Sequence, residues 1–140
     1  MAAPPPDAER ARRTTGRLLW GCAALTVMVG VFQLADILRE IDQYGALAWL
    51  GVVVAAVAEL ALIAAYVACA LERMTLRQRV VGQLDVFQVS AGVFLIALVA
   101  GVLSPGRNTT TLALLLPFAI TYWLHGLEAA GTESASSDEP

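Results

Sequence analysis

The chain has no lysine, and its nine basic residues are all arginine. It has one histidine, His125, and two cysteines, Cys22 and Cys69, far apart and each in an apolar run. Charged residues make up 15% of the chain, against about 25% in an ordinary soluble domain. Each scarcity excludes something. One histidine cannot supply a two-histidine haem or metal site within the chain, and no HExxH, glycine-rich phosphate loop or Cys/His cluster is present. Ser90 and Ser104 have no histidine beside them at the same end of their runs. The cysteines lack a CxxC redox spacing and read as small buried side chains. A net charge of −3 leaves no basic face for phosphates, so nucleic acid is not an expected partner. The sequence therefore predicts no catalytic residues, no cofactor and no metal, and the chain is not expected to be an enzyme.

What is present is long apolar sequence. Hydrophobic residues account for 58% of the chain, and four runs are almost free of charge: 18–38, 46–71, 85–103 and 109–127. About 20 residues at 1.5 Å per residue cross the ~30 Å of bilayer hydrocarbon. Backbone amides in lipid find no outside partner, so such runs must be helices. They also lack the alternation of transmembrane strands. The predicted fold is all-α, a four-helix transmembrane bundle with the lipid bilayer as its first partner. Residues 1–17 read as a flexible cytoplasmic tail rich in Arg and Pro, and 128–140 as a disordered acidic one. The middle connection, roughly Glu72–Leu84, predicts a short interfacial helix or an extension of span two, because Arg73 and Arg77 share a helical face. Ser104-Pro105-Gly106-Arg107-Asn108 predicts a tight stop between spans three and four.

Arginine placement gives the orientation. Arg10, Arg12, Arg13 and Arg17 precede span one, and Arg73, Arg77 and Arg79 follow span two; the other two connections have one each. The positive-inside rule puts the tail and middle connection in the cytoplasm, and with an even number of spans both termini. The location implied is the cell membrane. An arginine-only, Ala- and Val-rich composition points to a GC-rich prokaryotic genome.

Small residues at four-residue spacing predict where helices touch, since apolar side chains alone gain little from packing in lipid. These are Cys22, Thr26 and Gly30 in span one, Ala61/Ala65 and Ala64/Ala68 in span two, and Ala97 and Gly101 in span three. Pro117, in mid-span four, cannot bond the Ala113 carbonyl and is a candidate hinge.

One residue raises a functional question. Glu59 lies at the centre of span two. A charge there costs roughly 2.5–3.5 kcal/mol on the insertion scale. The eleven Leu, Val and Ile residues of the span return about 0.3–0.6 kcal/mol each. The span inserts with Glu59, yet this does not say why the acid is there. No arginine lies at its depth, so a protonated carboxyl is expected, with Thr26, Gln33 and Thr121 as candidate partners. Gln33, Asp36 and Glu40 form one stripe leading to the outer end of span one. Two functions follow. The first is an accessory or structural subunit of a membrane assembly, or a homo-oligomer, with Glu59 tying helices together. The second is a small transporter or channel with a proton or cation site at Glu59.

Overall fold

The computed structural model describes residues 6–102 and 109–137. Helix α1 spans Pro6–Arg39 and a single 3-10 turn follows at Ile41–Gln43. Helix α2 spans Ala46–Ala70, strands β1 (Arg79–Val81) and β2 (Leu84–Asp85) form a small antiparallel hairpin, and α3 spans Val86–Val102. A 3-10 segment, Thr109–Leu114, then leads into α4, Leu115–Ser137. Among the described residues, the chain is helical apart from the hairpin with the turns around it and the short α1–α2 connection. Three of its helical stretches are long and apolar enough to cross a membrane, and α3 is a shorter apolar helix. The Ser104–Asn108 connection lies outside the described residues.

Several boundaries differ from the sequence reading. Helix α1 starts within the segment expected to be a flexible tail. Proline suits the first helical position, and Asp7 and Glu9 in the first turn complement the helix dipole. Helix α4 likewise runs through 128–137, where Ala and Glu sustain a helix. The middle connection is neither an interfacial helix nor an extension of α2. Helix α2 ends in a Schellman motif: Arg73 N–H donates to the Ala68 carbonyl and Glu72 N–H to that of Cys69. Glu72 takes the left-handed conformation there, at φ 57°. The hairpin reverses at Gly82-Gln83, with Gly82 at φ +59°. Its base is pinned to α3, as Val86 and Phe87 N–H donate to the carbonyls of Gln78 and Leu76. Asp85 and Gln88, a polar pair in the sequence, make half of a capping box: Gln88 Oε1 accepts from Asp85 N–H at 3.1 Å.

Helix α2 packs along both α1 and α3, while α4 lies against α1 and the 3-10 segment wedges between α1 and α3. Small residues make the close approaches. Cys22, Thr26 and Ala97 are fully buried, and Gly101 is buried against Thr111. Span two departs from the expectation. Ala61 and Ala64 are exposed, and the buried face is Ala55, Ala58, Glu59, Leu62, Tyr66 and Cys69. The polar group decides this: the face of α2 with Glu59 turns inward. Phe94 of α3 stacks on Phe118 of α4 at 4.4 Å between ring centroids.

Pro117 sits in the first turn of α4, so the break in span four is the change from 3-10 to α geometry just before it. A proline so placed gives up an N–H that an α-helix would leave unbonded in any case. Its carbonyl accepts from Thr121 Oγ1 at 3.0 Å and from Cys22 Sγ at 3.7 Å.

Candidate functional site

The site is built from the middle of α2 outward. Glu59 shares the inward stripe of α2 and is only 5% exposed. The carboxyl reaches α1 where that helix has no side chain: a Cβ built at Gly30 would lie 2.9 Å from Glu59 Oε2. One turn on, buried Gln33 sends its amide Nε2 to Thr111 Oγ1 at 2.9 Å. The Gln33 side chain lies beside the Glu59 carboxyl, and both line one cavity. Glu59 Oε1 is buried and has no hydrogen-bond partner. Among the described residues, Glu59 takes part in no ion pair.

That oxygen is anomalous, because buried polar atoms are nearly always bonded. The carboxyl lines a cavity of about 90 Å³ together with Gln33, Ile37, Tyr44, Val52, Ala55 and Thr111, among others. Next to Thr111 in the chain, Thr110 Oγ1 donates to Asp36 Oδ2 of α1 at 3.3 Å. The Tyr44 hydroxyl is pushed up from its usual value, first by burial and then by the negative Glu40 and Asp36, and so stays a neutral donor. Polar groups thus run from Glu59 through Gln33 and Thr111 towards Asp36 and Tyr44 at the α1–α2 connection. In the other direction the interior is closed by Cys22, Leu62, Tyr66 and Phe94, all buried in one cluster.

Of the partners expected for Glu59, the structure brings up Gln33 alone. Thr26 Oγ1 donates to its own helix at the Cys22 carbonyl, 2.8 Å away. Thr121 Oγ1 does the same towards Pro117 and Phe118. A threonine inside a helix readily bonds back one turn, which leaves it nothing to give across the bundle. The sequence reading missed Thr110 and Thr111. Their signal was a run of three threonines opening an apolar span.

Among the described residues, no group of three or more His, Cys, Asp or Glu side chains could hold a metal ion. His125 stacks on Phe87 at 4.5 Å between ring centroids, and its buried Nε2 has no partner. No family model matches the chain, and comparison with curated proteins and with solved structures finds nothing similar.

Proposed function

We propose that this is a multi-pass protein of the cell membrane, with four spans and both termini in the cytoplasm. Its function is that of a small transporter or channel in which Glu59 takes up and releases a proton or small cation. The observation that carries this is the buried, unpartnered Glu59 oxygen at a cavity that Gln33, Tyr44 and Thr111 also line. A carboxyl kept only to tie helices would bond with both oxygens. An ionisable residue inside a membrane span is a functional candidate by default.

The membrane reading has support of its own. Large apolar side chains face outward in quantity, Leu47 being 86% exposed, while Thr26, Gln33, Glu59, Thr111 and Thr121 are buried. That inverts the usual arrangement in water and suits lipid. Trp20, Trp49 and Trp123 also face outward, as interfacial anchors do. The Arg12–Glu72 ion pair joins the start of α1 to the end of α2, so the two arginine clusters share one end of the bundle. Helix α1, 34 residues long, reaches about 50 Å, enough to cross and still project its arginines.

The test is Glu59→Gln, which keeps size and hydrogen bonding but removes titration. In vesicles with a trapped pH dye, the native protein should release or take up protons after a pH jump, and the variant should fold alike and do neither. Identical traces would return Glu59 to a structural role.

Association remains the second reading, favoured by a groove of about 540 Å³ between α2 and α3, lined by Leu47, Leu50, Val54, Leu95 and Val99 among others. It fits a helix from a second copy or from an assembly partner. Cross-linking in native membranes checks it.

A further inference from the structure

We infer that Glu59 is a proton site and not a metal-ion site, and that its proton arrives through the cavity from the α1–α2 connection, never from the arginine-rich end. This rests on the exchange role proposed above.

The ligand follows from the donor set. A bound metal cation needs several oxygens converging on one point. The cavity offers one carboxylate, Glu59, and its other polar lining is Gln33, Thr111 and Tyr44. Gln33 Nε2 donates to Thr111 Oγ1 and so occupies a lone pair that a cation would need. A proton needs one lone pair, and Glu59 Oε1 has no competing partner.

The route follows from which residues line the space. Helices α1 and α2 are antiparallel, so Gly30 to Ile37 and Glu59 to Val52 climb in the same direction. The inward residues of both stretches, from Gly30 to Ile37 and from Glu59 to Val52, line the cavity, as does Tyr44. From Glu59 to Val52 is about 10.5 Å at 1.5 Å per residue. Towards the other end Cys22, Leu62, Tyr66 and Phe94 pack in one buried cluster, and the hydroxyls of the buried Thr26 and Thr121 donate within their own helices. The other groups that bear on the charge of Glu59 are few. Tyr44 lines the cavity, Asp36 and Glu40 lie near Tyr44 at the α1–α2 connection, and Cys22 and Tyr66 pack with Leu62 on the other side. Helix α3 and the threonine segment contribute no titratable side chain.

Two measurements test this. In the first, the infrared C=O band of a protonated carboxyl is followed against pH in lipid, for the native protein and for Glu59→Gln. A band that titrates and is missing from the variant reports Glu59, and a tenfold rise in Na⁺ or K⁺ should leave its midpoint in place. A competing metal ion would move the midpoint by up to about one pH unit per decade, by linkage, and would overturn the proton assignment. Failure to find any Glu59-dependent titration would count against the exchange role itself. In the second, single cysteines are placed in a background with Cys22 and Cys69 replaced by alanine. A charged thiol reagent reacts only where water ionises the thiol. Val52→Cys and Ala55→Cys should be modified from the α1–α2 side alone, and Leu62→Cys from neither. Modification of Leu62→Cys from the arginine-rich side, or silence at both Val52→Cys and Ala55→Cys, would overturn the route.

Discussion

At the scale of single residues, two glycines make the site possible, and they differ from glycines that merely occur in helices. An alanine at position 101 would drive its Cβ into the side chain of Thr111. Thr111 would have to swing, and its bond from Gln33 would go with it. At position 30 the new methyl would sit 2.9 Å from Glu59 Oε2, and the carboxyl would have to move. Gly21 and Gly92 are helical too, but nothing lies within 4 Å of a Cβ at either. Alanine there gains about 1 kcal/mol of helix propensity with no clash. We expect Gly101→Ala and Gly30→Ala to destabilise by roughly 1–3 kcal/mol, as overpacking does, and Gly21→Ala and Gly92→Ala to be neutral or stabilising. Thermal unfolding in detergent checks the contrast. Gly30→Ala should also shift the carboxyl band of Glu59, which Gly21→Ala should leave unchanged. Of this site, Glu59 was legible because an acid amid uniform apolar sequence stands out, and Gln33 because it lies on the polar stripe of span one. Thr110 and Thr111 were not, since pairing across some 75 residues leaves no local pattern.

At the scale of elements, the helices were legible and their ends were not. Long apolar runs reflect a solvent requirement written into every residue, so α1, α2, α3 and α4 each fall on a predicted run. Ends depend on short signals that compete. Between α2 and α3, Arg73 and Arg77 at helical spacing argued for more helix, and the hairpin that forms there was not foreseen. The left-handed Glu72 settled it by stopping α2. A side chain in that conformation costs about 1–2 kcal/mol, and glycine avoids it. The Glu72 pair with Arg12 is half exposed and is worth about 0–1 kcal/mol. Glu72→Gly should therefore raise stability by roughly 0.5–1 kcal/mol despite losing the pair. Glu72→Ala, which loses the pair and keeps the strained backbone, should not. Comparing the two unfolding midpoints isolates the backbone contribution, and a gain for Ala equal to that for Gly would mean Glu72 is not strained.

At the scale of the whole molecule, the arrangement of polar and apolar groups reads as a distribution between two solvents, and adjacent residues of α2 show it most sharply. Glu59 is 5% exposed, while Leu60, next along the chain, is 66% exposed. One faces the cavity and the other faces outward, so exchanging them leaves composition and mean hydropathy untouched while reversing the environments. The apolar residues of span two return about 3–6 kcal/mol on insertion, and one acid costs roughly 2.5–3.5. A second acid lifts the cost to about 5–7 kcal/mol, at or past the point where the span fails to insert. Leu60→Glu alone should therefore lower membrane insertion markedly, and Glu59→Leu alone should raise it. The exchanged pair, Glu59→Leu with Leu60→Glu, should insert about as well as the native span. It should nevertheless have lost the Glu59 carboxyl band and any pH-jump signal, because its acid faces lipid and not the cavity. Glycosylation-site mapping of insertion, with the infrared titration on the same variants, separates the two effects. If the exchanged pair kept the native titration, the function would belong to an acid anywhere in the span, and the cavity between α1 and α2 would be irrelevant to it.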